Sequence, residues 1–269
     1  MEESRIAPLA GSPPALRVSG RQAGKVCLVT GGGTGIGRAA ALRFAAEGAR
    51  AVVVAGRRRA PAESVAAEAR ALGVEALAVV ADVTQEAEVE AMVAGVVARF
   101  GQLDLAFNNA GFQERRMPLA DTDDATYARV FDSNVRALLH CLRYEIRAML
   151  ATGGGAIVNN TSVSGVRNPN LGLSLYSASK AAAISLTRSA AMEYAPRGVR
   201  INAVAPGRVV TEMMLASGIA DMTQVAASLP LRRMGRPEEV AAAVSWLLSD
   251  EAAYIVGHIL CADGGFLAG

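Results

Sequence analysis

The chain has 269 residues, 52% of them hydrophobic and 19% charged, with a formal net charge of +2. That mass suits one large α/β unit with a sizeable core, and the near-balanced charge, with Arg57-Arg58-Arg59 as its longest basic run, argues against a nucleic-acid binder. Gly, Ser and charged residues break every apolar run before the ~18 residues a membrane helix needs, so neither a membrane nor a nucleic acid is an expected partner.

Three cysteines, Cys27, Cys141 and Cys261, stand far apart in apolar sequence. They read as buried, reduced thiols of a cytoplasmic protein. With no CxxC or HExxH, and His140 and His258 the only histidines, no metal site is expected.

Residues 1–22 carry Pro13-Pro14, Gly and Ser without an apolar run, and read as a disordered arm rather than a signal peptide. Residues 23–269 read as one domain. From Lys25 onward, short β-branched runs alternate with Ala-rich helical ones. Strands are expected at 26–30, 51–55, 75–81, 103–107, 156–160, 200–204 and 258–261, and helices at 35–47, 62–72, 86–100, 124–150, 175–195 and 237–249. This pattern predicts an α/β fold with a single Rossmann-like, doubly wound, seven-stranded parallel sheet covered by helices on both faces. Ligands of such sheets sit beyond the carboxyl ends of the strands, so the chemistry is sought there.

The first strand runs into Thr30-Gly-Gly-Gly-Thr-Gly-Ile-Gly37 and then directly into a helical pattern. Glycines let the backbone turn tightly and approach a pyrophosphate, whose charge is met by the N–H groups of the new helix. The spacing is Gly31-x-x-x-Gly35-x-Gly37 rather than G-x-G-x-x-G, but the strand-to-helix context still points to a dinucleotide. Gly31, Gly33, Thr34, Gly35, Ile36 and Gly37 are its candidate contacts. At the end of the second strand Gly56 stands where an acid would hold the ribose of NAD, and Arg57 follows. An arginine there accommodates a 2′-phosphate, which favours NADP while leaving NAD possible.

Tyr176 and Lys180 lie four residues apart at the start of a helical run, so they share one face. The chain holds only two lysines, Lys25 and Lys180, among 27 basic residues. A compact ammonium beside one hydroxyl is chemically unlike a planar guanidinium. A cation ~4 Å from a phenol in an effective dielectric of ~20 is worth about 4 kcal/mol, enough to bring a group that titrates near ~10 down toward neutrality. Tyr176 is therefore expected to exchange protons. Ser162 ends the fifth strand, where its hydroxyl can hold a substrate carbonyl against Tyr176; Ser164 is a rival.

In order, Thr30 to Gly37, Asp82-Val83, Asn108-Asn-Ala-Gly111, Asn134, Ser162, Tyr176-x-x-x-Lys180, Pro206-Gly207 and Asp263-Gly-Gly265 resemble the short-chain dehydrogenase/reductase family in its short, single-domain form. The resemblance covers 24–269. It implies that Asp82 and Val83 hold the adenine, although Asp82 also suits a helix cap. It implies that Asn108, Ala110 and Gly111 line the cofactor, that Asn134 supports a water serving Lys180, and that Pro206, Gly207, Val209 and Thr211 flank the nicotinamide.

The implied activity is hydride transfer between NADP(H) and a secondary alcohol or ketone, with carbonyl reduction as the favoured sense. The alternatives are 3-oxoacyl-acyl-carrier-protein reduction and a non-catalytic NADP-binding regulator; a serine hydrolase is excluded because no G-x-S-x-G occurs. Proteins that look like this usually form homotetramers.

The substrate is expected to meet 112–119, 163–175 and 209–231, the last as a lid. Phe112, Val166, Leu171, Leu173, Met213, Met214 and Leu215 suggest an apolar cavity for a small molecule. Arg115, Arg116, Arg167 and Arg208 suggest either a solvated rim or an anion contact.

Overall fold

Valine-rich strands stack between Ala-rich helices because a parallel strand is covered on both faces and the small helical side chains allow close approach. In the computed structural model, which describes residues 20–168, 170–217, 219 and 221–268, the strands are β1 (Val26–Thr30), β2 (Ala51–Gly56), β3 (Glu75–Val80), β4 (Leu105–Asn108), β5 (Gly155–Asn160), β6 (Val199–Pro206) and β7 (Ile259–Ala262). They pair in the order β3-β2-β1-β4-β5-β6-β7, all parallel.

The helices are α1 (Gly35–Ala46), α2 (Arg59–Ala71), α3 (Glu86–Phe100), α4 (Asp124–Phe131), α5 (Ala137–Ala151), α6 (Val163–Val166), α7 (Ser174–Tyr194), α8 (Glu212–Leu215), α9 (Met222–Ser228) and α10 (Pro237–Leu248). Strand alternation sorts the core into two layers. Cys27 and Val29 face α1, α2 and α10, while Val26 and Leu28 face α3, α5 and α7. Phe44 and Phe107, both fully buried in the first layer, are each worth roughly 1.5–3 kcal/mol of apolar burial.

The chain departs from its sequence pattern in four places. Residues 124–150 do not form one helix: Asp132–Arg136 takes a π-helical turn between α4 and α5. An inserted residue of this kind widens a helix locally, and Asn134 sits within it. The segment 209–231 includes the short helices α8 and α9, and Met222 packs with Ala226 and Met234 in a cluster of its own.

Of the expected arm, residues 1–19 lie outside the described residues, but Gln22 is fully buried and donates to Ser245 O at 2.8 Å and Ser245 Oγ at 2.9 Å. Ser245 in turn donates to Glu47, which ion-pairs with Arg43 at 2.6 Å. Cys261, unlike Cys27 and Cys141, is exposed, because β7 is the last strand of the sheet and is covered less completely.

The register places Thr30 beside Asn108 and Asn108 beside Asn159, so the ends of β1, β4 and β5 form one ledge. After β1 the chain steps to β2 on one side, whereas β4 lies on the other. The crevice at this reversal is where α/β sheets bind ligands.

Candidate active site

A cavity of about 650 Å³ opens over this ledge. Gly31, Gly33, Thr34, Gly35 and Ile36 form one wall, and Gly56, Arg57, Arg58, Asp82 and Val83 form the next. Asn109, Ala110, Gly111, Asn160 and Thr211 close it. Of the dinucleotide contacts expected at the first turn, Gly31, Gly33, Thr34, Gly35 and Ile36 line this cavity, as do Arg57, Asp82, Val83, Ala110, Gly111, Thr211 and, from the substrate side, Phe112, whereas Gly37 lies beneath the turn and off the wall.

The residues fit a dinucleotide phosphate. Thr34 makes no side-chain cap and α1 has no acid in its first turn, so the N–H groups at its start remain available to an anion. Gly37 packs so closely under the turn that a Cβ would lie 2.3 Å from Gly31 O. Gly31 itself has φ of +61°, which glycine adopts without strain.

Several sequence-predicted contacts lie elsewhere. Asn108 is buried behind the sheet, where its Nδ2 donates to Glu145 Oε2 at 2.8 Å and Asn159 Oδ1 at 3.1 Å. Burial raises the Glu145 carboxyl to about 7, against the pull of the Asn108 amide. Asn109, one residue on and so on the opposite side, takes the cavity position. Its Nδ2 donates to Gly31 O at 3.0 Å, and its N–H donates to Thr30 Oγ1 at 3.1 Å. Strand alternation was the available signal for this exchange.

Asp82 does not cap α3, whose N-cap is Gln85; it closes the turn before the helix by accepting Thr84 N–H at 3.0 Å and Thr84 Oγ1–H at 2.8 Å, and it borders the cavity. Gly207 packs on Asp263 and Val209 lines a second cavity, while Pro206 ends β6; these three are not on the wall of the first.

Tyr176, Lys180, Ser162 and Asn134 gather beside the ledge and are all largely buried, so that Tyr176 and Lys180, also expected as cofactor contacts, do not lie on the cavity wall. Lys180 Nζ donates to Asn160 O at 2.8 Å, and a Cβ on Gly111 would meet that same Nζ at 3.4 Å. Ser162 hydrogen-bonds the Tyr176 phenol and caps α6 by accepting Ser164 N–H at 3.1 Å. Ser164 instead takes a bond from Asn170 Nδ2 at 2.7 Å, so Ser162 is the serine beside the tyrosine. The Asn134 amide accepts Phe112 N–H at 2.8 Å and donates to Phe112 O at 2.7 Å, holding the loop after β4 against the π turn. Its amide also donates to Ser179 Oγ at 3.0 Å, so the side chain is satisfied by backbone and by α7.

The electrostatics differ from the sequence expectation. Burial pushes the Tyr176 phenol above its ordinary range, the Ser162 hydrogen bond opposes the rise, and the Glu114 carboxylate adds to it. Lys180 does not depress the phenol here: its ammonium is spent on Asn160 O, lies 5.7 Å from the ring centroid, and is itself lowered to about 8 by burial.

Glu114 is the residue the sequence reading missed. It is 4% exposed, and its Oε1 accepts Tyr176 N–H at 3.0 Å while Oε2 has no partner. Helix α7 has Leu173 at its N-cap and no acid in its first turn, so Glu114 supplies the missing cap from the loop after β4. No local pattern marks such a contact, because 62 residues separate the partners.

The apolar substrate residues do not all converge. Met213 lines the large cavity, whereas Leu173 is core and Val166 and Leu171 are exposed. No three His, Cys, Asp or Glu residues are grouped to hold a metal among the described residues, and no described helix is long and apolar enough to cross a membrane.

Residues 31–267 match the family model described as enoyl-(acyl carrier protein) reductase. The chain is 42% identical over 244 residues to cis-4-hydroxycyclohexanecarboxylate dehydrogenase of Sinomonas cyclohexanicum, covering 91% of this chain and 97% of that one. It is 40% identical over 246 residues to the 3-oxoacyl-[acyl-carrier-protein] reductase of Staphylococcus aureus, covering 90% and 97%. A solved 7α-hydroxysteroid dehydrogenase, complexed with NADH and 7-oxo glycochenodeoxycholic acid, superposes with a TM-score of 0.87 at 33% identity, covering 92% and 96%. With the ordered motifs and the sheet topology, these matches place the chain in the short-chain dehydrogenase/reductase family.

Proposed function

We propose that this protein reduces a ketone to a secondary alcohol with NADPH, and that Tyr176 donates the proton. The observation that carries this reading is the buried Ser162–Tyr176–Lys180 group beside a dinucleotide-sized cavity, joined to its wall through Asn160, whose carbonyl accepts from Lys180. The cofactor, when bound, supplies or accepts the hydride. Ser162 orients the substrate oxygen toward the phenol. Tyr176 enters neutral solution protonated, which suits delivery of a proton to a carbonyl oxygen. Lys180, held by Asn160 O, keeps a positive charge next to that exchange. Relatives named for a hydroxycyclohexane acid and for a hydroxysteroid favour a ring ketone over an acyl thioester, although the 3-oxoacyl-[acyl-carrier-protein] reductase keeps the thioester as a second reading.

The cofactor choice rests on Arg57 in the cavity wall, with no acid on the neighbouring Gly56. Arg58 is tied to Glu212 at 3.2 Å, which leaves Arg57 as the direct phosphate partner. Arg57→Ala is expected to weaken NADPH binding by about tenfold to a hundredfold, the scale of one charge-assisted contact, with little change for NADH. Titration of nicotinamide fluorescence checks it, and equal losses for both cofactors would point to NAD as the natural partner.

Alcohol oxidation needs the phenolate, so its rate is expected to climb with pH. The Glu114 charge opposes ionisation of Tyr176. Glu114→Gln keeps the acceptor for Tyr176 N–H and removes the charge, so the climb should move to lower pH, whereas Glu114→Ala should also lower Tm. A pH profile that Glu114→Gln leaves in place would refute the electrostatic role.

The assembly we infer is a cytoplasmic homotetramer. Exposed Leu139 on α5, Met192 on α7 and Tyr254 before β7 are apolar surface suited to subunit contacts. Light scattering coupled to size-exclusion chromatography tests it.

A further inference from the structure

Two guanidinium groups are brought together on the loop between α6 and α7, and among the described residues neither has an acid. Arg208 follows the Pro206-Gly207 turn, is half-buried, and donates from Nη2 to Asn170 Oδ1. Arg116 reaches over from the loop after β4 and donates from Nη1 to Leu171 O at 2.6 Å. Because their anchors are adjacent residues, the two cationic heads are brought together. Burial and the charge of Arg116 both hold Arg208 below its ordinary range. A second link, from Met117 N–H to Gly172 O at 3.1 Å, fastens the two loops to each other.

Some arginines elsewhere are neutralised by carboxylates: Arg43 pairs with Glu47, Arg38 with Glu68 and Arg233 with Glu239. Among the described residues, no ion pair involves Arg116 or Arg208. The acids that share a cavity with Arg208 are already engaged. Asp263 accepts Gly265 N–H and Leu267 N–H, each at 2.9 Å, and Glu239 holds Arg233 and Arg236 N–H. The half-buried Arg208 held close to the exposed Arg116 raises the free energy until an anion arrives. Phe266 lies against this group, 5.5 Å from the Arg208 guanidinium, and gives the position an apolar wall.

The position is tied to the chemistry. Asn170, which accepts from Arg208, donates to Ser164 Oγ at 2.7 Å, and Ser164 N–H donates to Ser162 Oγ at 3.1 Å. One asparagine and one serine thus connect the cationic pair to the serine beside Tyr176.

We propose that Arg116 and Arg208 form an anion anchor that selects ring ketones and ring alcohols bearing a carboxylate remote from the reacting carbon. This rests on the ketone-reductase reading above. A planar carboxylate can take one N–H fork from each arginine while Ser162 and Tyr176 hold the carbonyl oxygen, so binding energy at the far end of the ring orients the reacting end.

The test compares kcat/KM for 4-oxocyclohexanecarboxylate, its methyl ester, cyclohexanone and an acetoacetyl thioester in the wild type, Arg116→Gln, Arg208→Gln and the double variant. Glutamine at 208 retains an amide donor for Asn170. The wild type is expected to prefer the acid over the ester by about tenfold or more, chiefly through KM, and the double variant to bring that ratio close to one. Because the readout is a ratio within each variant, a general loss of activity does not mimic it. Equal use of acid and ester by the wild type, or a preference that survives in the double variant, overturns the anchor alone. Faster turnover of an acetoacetyl thioester than of any ring ketone also overturns it, while leaving the reductase in place. Silence toward every ketone, with NADPH still bound, overturns the anchor together with the reductase reading.

Discussion

Tyr176→Phe is expected to lower kcat/KM for ketone reduction by about 10²–10⁴-fold, the range that general acid catalysis supplies, while NADPH binding and Tm stay near wild type. The ring is retained, and Tyr176 is a buried residue of α7 whose backbone contact to Glu114 does not involve the phenol. Only the hydroxyl and its bond to Ser162 are lost. Initial rates by nicotinamide absorbance, with cofactor binding by fluorescence in parallel, separate the two effects. Retention of most of the turnover would exclude Tyr176 as the proton donor, whereas loss of cofactor binding together with turnover would mean that the phenol holds the cofactor rather than the proton. Thermal unfolding guards against the trivial outcome of a misfolded variant.

Gly37→Ala is expected to weaken dinucleotide binding by about tenfold to a hundredfold and to lower stability by about 1–3 kcal/mol, the range for overpacking a tight site. The new methyl would stand 2.3 Å from Gly31 O and 2.5 Å from Asn109 Nδ2. One obstacle is backbone, and the other is the amide that holds the end of β4 to the glycine turn. Neither can yield without opening the phosphate cradle. Gly95→Ala is the control. Gly95 is an exposed position of α3 with no atom within 4 Å of an added Cβ, so alanine there should be neutral or stabilising. Equal losses from the two substitutions would show that the close contact at Gly37 is not what matters.

The sheet was legible because its signals are local and repeated. Valine runs buried on both faces mark β1 and β2, and the Ala-rich stretches between strands read as helices. The glycine turn was equally legible, since a backbone that must turn sharply and approach an anion leaves few residue choices. Asn134 illustrates the limit. Residues 124–150 look uniformly helical, because a π turn changes the hydrogen-bond partner of a few residues without changing composition. Asn108 and Asn109 show another limit. Both stand in one motif, and only the pleat at the end of β4 decides that Asn108 serves the core and Asn109 the cavity.

By itself, the sequence determined the doubly wound sheet, the placing of the dinucleotide turn, and the neighbours Tyr176 and Lys180, because each depends on periodicity or on spacing within one element. Only the tertiary structure decided what surrounds them. It raised the Tyr176 phenol where pairwise charge reasoning had lowered it, because burial acts on the whole group and the Lys180 ammonium turned to Asn160 O. It brought Glu114 to the start of α7 and set Arg116 against Arg208, since long-range contacts follow from how loops cross above the sheet and not from the order of residues along the chain.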